Sequence, residues 1–115
     1  MPLITLKTSA VVPAAQKAEL ATALSKIVVE ATGKPEAYTM ALIEAAEGCF
    51  GGKPGAIAFV EVRGIGGLGK PVNARIQAAV AELLKARLGI PPERIYGNYI
   101  EVPATAWGWK DSLFG

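Results

Sequence analysis

Apolar and polar positions along the chain follow two periodicities, and each appears twice. Residues 2–8 alternate, with Ile4 and Leu6 on one face, which predicts a strand. Leu20, Leu24, Ile27, Val28 and Ala31 follow at spacings of 4, 3, 1 and 3, one stripe of an amphipathic helix. Pro13 suits that helix's first turn and Gly33 its left-handed stop. Tyr38–Glu44 is expected to be a strand with Tyr38, Met40 and Leu42 facing one way. A glycine-rich connector around Cys49 and Phe50 leads to a third strand, Ala56–Arg63, with Ala58, Val60 and Val62 on one face. After a glycine loop at 64–69, Pro71 opens a second helix. Its stripe is Ile76, Val80, Leu83, Leu84 and Leu88, and Gly89 closes it. Ile95–Val102 is the fourth long strand.

This is strand–helix–strand written twice. The stop glycines Gly33 and Gly89 lie 56 residues apart (89 − 33). Each is followed by Pro-Glu and then a tyrosine: Pro35-Glu36 with Tyr38, and Pro92-Glu93 with Tyr96. The predicted fold is α/β (α+β): two pseudo-repeated β-α-β units in one domain spanning residues 1–115. Right-handed crossovers put both helices on one face of a four-stranded sheet. The other face has no cover within the chain, so an oligomer is expected.

Composition sharpens this picture. At 115 residues the chain is 51% hydrophobic, with mean hydropathy +0.33. No apolar run reaches membrane-span length, so the excess belongs in subunit interfaces. The N-terminus lacks a basic segment before a long apolar core, so no signal peptide is expected and the cytoplasm is the expected location, leaderless export aside. Net charge is only +2 and the basic residues are scattered, which argues against nucleic acid. There is no histidine and one cysteine, Cys49. Histidine triads, histidine metal sites, internal disulfides and cysteine zinc clusters are therefore excluded. Acid–base chemistry must come from carboxylates, Lys, Tyr, Cys49 or a terminal amine.

Four places can carry chemistry. Met1-Pro2 opens a strand, and trimming of Met1 would leave Pro2 a free secondary amine; otherwise Pro2 is a strand-edge proline. Lys34 follows a helix stop, either as a ligand for an anion or as a solvated cation. The loop Gly64-Ile65-Gly66-Gly67-Leu68-Gly69 lacks the spacing of a nucleotide loop but can offer backbone N–H groups to a smaller anion such as a carboxylate. Tyr96 and Asn98 share a strand face, where they either bind a polar substrate or satisfy partners inside an interface. Trp107, Trp109 and Phe114 would ordinarily be interface packing.

Together these residues resemble the macrophage migration inhibitory factor family of the tautomerase superfamily, in a bacterial-type form. The resemblance covers nearly the whole chain. It is carried by Met1-Pro2, Ala31-Thr32-Gly33-Lys34-Pro35, Phe50-Gly51-Gly52 and Ile65-Gly66. Arg94-Ile95-Tyr96-Gly97-Asn98-Tyr99 and Gly108-Trp109 with Phe114 complete it.

The resemblance implies a homotrimer with active sites between neighbouring subunits. It implies a keto–enol tautomerase for arylpyruvate-like 2-oxo acids, an isomerase of the phenylpyruvate tautomerase type needing no cofactor and no metal. Pro2 would be the catalytic acid–base, and apolar neighbours with a nearby cation would keep its amine neutral. Lys34 and the Ile65 N–H would hold the substrate's carboxylate or carbonyl. Tyr96 and Asn98 would come from the adjacent subunit, and Tyr38, Trp107 and Phe114 would line the pocket. The alternative is a cytokine-like or host-interaction protein with incidental tautomerase activity. Departures from mammalian members weigh against that: Ile57 and Val60 stand in place of a Cys-x-x-Cys pair, and the 10–14 loop has no arginine for a receptor.

Overall fold

The computed structural model describes residues 2–115, so Met1 and its removal lie outside the described residues. The strands are β1 (Leu3–Thr8), β2 (Met40–Ala45), β3 (Ala58–Gly64) and β4 (Ile95–Glu101). They form one sheet in the order β2-β1-β3-β4. The helices are α1 (Lys17–Thr32) and α2 (Lys70–Leu88). β1 pairs parallel with β2, β3 pairs parallel with β4, and β1 joins the halves by running antiparallel to β3. Each half is therefore one β-α-β unit. A short hairpin, β5 (Gly108–Trp109) and β6 (Ser112–Leu113), closes the chain.

The helix stripes and the inward strand faces supply the core. Leu20, Leu24 and Val28 of α1 and Ile76, Val80 and Leu84 of α2 are buried. They meet Ile4 and Leu6 of β1 and Ala58, Val60 and Val62 of β3. Both helices end as expected. Gly33 and Gly89 take φ of 71° and 65°, where a side chain would be strained, and donate to the carbonyls of Val29 and Lys85.

Two readings shift. Pro13 precedes a 3-10 turn, Ala14–Gln16, and the α-helix itself starts at Lys17. Tyr38 is not in β2. It ends a 3-10 turn, Glu36–Tyr38, because its N–H and that of Thr39 bond back to Pro35 and Glu36, and β2 starts at Met40. The uncovered sheet face is not uniformly apolar. Its outer strands expose Met40, Leu42 and Tyr96, while Lys7, Glu61 and Arg63 run down the middle. Glu61 lies 3.7 Å from Lys7 and 3.6 Å from Arg63. Such partly exposed pairs add little stability, and they put charged groups between the apolar edges of this face.

Candidate active site

β1 begins beside the start of β2: the Pro2 carbonyl accepts the Met40 N–H, and Leu3 pairs with Met40. On its other side Leu3 pairs with Arg63, so the antiparallel register sets Pro2 beside Gly64, one residue from Ile65. One end of the sheet thus gathers Pro2, the 3-10 turn with Tyr38 and the glycine loop. A cleft of about 390 Å³ opens there, and Pro2, Leu3, Tyr38, Trp107, Trp109 and Phe114 are among its lining residues. Pro2 itself is fully buried.

The aromatic wall is built by the tail. The Trp107 carbonyl accepts from the Phe114 N–H, and the Ala104 carbonyl accepts from the Gly115 N–H, which folds the hairpin back onto the cleft. Trp109 and Phe114 stack at 5.9 Å with planes 9° apart, and Tyr38 meets Trp109 edge-on at 5.3 Å. Such ring arrangements hold each other beyond simple area burial. Trp109 was not among the expected site residues. In a Trp-Gly-Trp stretch the sequence offers no reason to prefer one indole, and only the hairpin shows that both reach the cleft.

Lys34 and Ile65 come together as well. The Lys34 ammonium donates to the carbonyls of Ile65 at 2.6 Å and Gly66 at 2.9 Å. Gly66 and Gly67 have φ of 72° and 77°, and a Cβ on Gly67 would lie 3.1 Å from Lys34 Cε. The loop's glycines are thus what lets the lysine stem lie across it. From the far side Glu101 Oε2 accepts the Leu68 N–H at 3.3 Å. The loop is held from both flanks by charged groups. Two of the three ammonium hydrogens go to the loop, which leaves one for a ligand.

Tyr96 and Asn98 are not in this cluster. They lie on β4, where Tyr96 pairs with Phe59 and Asn98 with Glu61. Phe59 is five residues down β3 from Gly64, about 17 Å at strand rise. Tyr96 lines a second cleft of about 450 Å³ with Lys7, Cys49, Phe50 and Phe59, and its ring lies 4.9 Å from that of Phe50. Within one chain, Tyr96 and Pro2 belong to different clefts.

The family model for macrophage migration inhibitory factor matches residues 1–115. The chain belongs to that family. Among relatives, the macrophage migration inhibitory factor of Meriones unguiculatus is 32% identical over 116 residues, with 99% of each chain covered. The macrophage migration inhibitory factor-like protein of Entamoeba histolytica superposes with a TM-score of 0.94 at 32% identity, covering 98% of both chains. The homologue from Prochlorococcus marinus superposes at 0.91 with 35% identity, covering 98% of this chain and 99% of its own. The family's fold, a mixed four-stranded sheet with two helices, is the fold described above. Among the described residues no helix is long and apolar enough to cross a membrane, and no cluster of His, Cys, Asp and Glu is placed to hold a metal.

Proposed function

We propose that the chain is a keto–enol tautomerase for arylpyruvate-like 2-oxo acids, acting as a homotrimer in the cytoplasm. The observation that carries the reading is Pro2, buried at one end of an aromatic-walled cleft and close in register to the loop that Lys34 grips. An aryl ring fits among Trp107, Trp109, Phe114 and Tyr38. The substrate's carboxylate goes to the remaining Lys34 N–H and the Ile65 backbone N–H. With Met1 removed, the Pro2 nitrogen takes a proton from the carbon beside the ketone, and the electron pair left behind moves onto the carbonyl oxygen. The same nitrogen then delivers its proton to that oxygen, giving the enol, and the reverse steps restore the ketone. Lys34 and Asn98 stabilise the enolate charge in a partly dry cleft.

Distance within one chain supports an oligomer. A second copy is needed to bring Tyr96 and Asn98 to Pro2, because about 17 Å of β3 separates the Tyr96 and Pro2 levels in one chain. The exposed Met40, Leu42 and Tyr96 give such a contact apolar area to bury.

The test uses two preparations, one trimmed to Pro2 and one retaining Met1, distinguished by mass spectrometry. The ultraviolet absorbance of an arylpyruvate reports the reaction. Trimmed protein is expected to turn over, and Met1-bearing protein to be nearly inactive, because its Pro2 nitrogen is an amide. Equal rates for the two would remove Pro2 as the base.

A further inference from the structure

β4 carries Tyr96 and Asn98 outward and Gly97 and Tyr99 inward, beneath α2. The inward pair makes an unusual joint. Gln77 descends from α2, and its Oε1 accepts the Tyr99 hydroxyl at 2.7 Å. Its amide fills the place where a side chain on Gly97 would stand. A Cβ added there would overlap Gln77 Oε1, and would lie 3.0 Å from both Gln77 Cδ and the Tyr99 hydroxyl. Gly97 has an ordinary backbone, with no left-handed φ, so what a side chain there would disturb is the seat of the Gln77 amide and not the conformation of the strand. The joint is a polar contact half-buried between helix and strand, in which the Tyr99 hydroxyl and Gln77 Oε1 satisfy each other. Burial also pushes the Tyr99 phenol up to about 12, so it stays a donor at neutral pH.

We propose that Gln77 is a positioning residue for the tautomerase reaction. Seated in the gap at Gly97 and tied to Tyr99, it fixes the height of β4 against α2. That sets where Tyr96 and Asn98 stand on the opposite face, and so how they meet the substrate in the neighbouring copy's cleft. This rests on the function proposed above. Gln77 touches no substrate and acts only through β4.

The experiment is a double-mutant cycle on the trimmed protein: wild type, Gly97→Ala, Gln77→Ala and the pair combined. Each is measured for kcat and KM on an arylpyruvate and for thermal unfolding. A Cβ at 97 meets the movable end of Gln77 and pushes it out of the gap, which breaks its tie to Tyr99, so Gly97→Ala is expected to raise KM about tenfold, as Gln77→Ala does. Both changes remove the same joint, so the double variant should have the KM of Gln77→Ala alone, with no further rise. A merely structural role gives a different pattern: fewer folded molecules, lower apparent kcat and an unchanged KM. If Gly97→Ala does not fold, Gln77→Ala alone carries the test through a raised KM at unchanged trimer mass. Wild-type KM in Gln77→Ala, or fully additive rises in the double variant, overturns the proposal while leaving the tautomerase reading intact. An inactive wild type overturns the tautomerase reading and this one with it.

Discussion

Replacing Lys34 with methionine keeps the stem and deletes the charge, and the consequences follow from two distances. The ammonium donates at 2.6 and 2.9 Å to the Ile65 and Gly66 carbonyls. Hydrogen bonds to a charged group contribute about 1.5–3 kcal/mol each when well buried. Here one cation serves both, Lys34 is only half-buried, and water can reach the freed carbonyls. The total loss should therefore be about 1–2 kcal/mol, a fall of roughly 3–10 °C in Tm for a domain of this size. Substrate binding loses more. The third ammonium hydrogen would meet the carboxylate, and a charged partner worth about 1.5–3 kcal/mol corresponds to about a ten- to hundredfold rise in KM. The two effects separate experimentally. Urea unfolding at fixed protein concentration gives the first. Initial rates across arylpyruvate concentrations give the second. A modest stability loss with a large rise in KM means that the lysine both pins the loop and binds the acid. If stability drops but KM stays at the wild-type value, Lys34 is a loop clamp only, and the assignment of its remaining hydrogen to the substrate is wrong.

Three further outcomes are expected. Leu24 is fully buried in the core, so Leu24→Ala should cost about 2–5 kcal/mol by denaturant unfolding; a loss under about 1 kcal/mol would mean that α1 is not packed as described. Tyr99 has a folded pKa near 12 against an ordinary 10, raised by burial, so its share of stability is complete below pH 10 and is lost as pH rises through 12. Tyr99→Phe should flatten that alkaline decline, and an unchanged decline would count against burial of the phenol. Finally, Lys34→Ala and Tyr96→Ala proteins, each with little activity at low substrate, should regain it when unfolded and refolded together, and sedimentation should give the mass of three chains; mixed trimers with no such gain would put both residues in one subunit's site or outside it.

Much of the fold was legible because burial imposes period. The stripes Leu20-Leu24-Val28 and Ile76-Val80-Leu84 were read directly and are buried, as are the alternating sets Ile4-Leu6 and Ala58-Val60-Val62. Gly33 and Gly89 marked the helix ends because left-handed backbone there selects glycine. Tyr38 was misread as strand because its alternation with Met40 and Leu42 is real, while local hydrogen bonds in Pro35–Thr39 favour a 3-10 turn. Of the site, the sequence suggested Pro2, Lys34, Ile65 and the aromatic tail. It did not suggest that Lys34 spends two hydrogens on carbonyls, since no spacing reports a contact across 31 residues. Nor did it bring Gln77 to the space beside Gly97, a contact made only by the fold.

The repeat also explains why one chain carries two clefts that look alike and differ in chemistry. An offset of 56 residues carries the 3-10 turn Glu36–Tyr38 onto Pro92–Arg94 and β2 onto the last six residues of β4. It carries Pro2 onto Ala58, Leu3 onto Phe59 and Met40 onto Tyr96. Pro2, Leu3 and Met40 line the first cleft, and Ala58, Phe59 and Tyr96 line the second. The clefts are therefore the same place in each β-α-β unit. Only the first can ever hold a free amine, because the nitrogen of Ala58 is locked in a peptide bond. Only the first has the aromatic tail folded over it, while Phe50 and Gly51 border the second. The two ends of the sheet are thus equivalent in the fold and different in lining, and the proposed function assigns proton chemistry to the first and binding to the second. In the proposed trimer those ends meet across each interface, so Tyr96 from the second unit of one copy completes the site begun by Pro2 in the first unit of the next. On this view Tyr96 takes part because it stands in the second unit where Met40 stands in the first, beside the cleft the reaction uses.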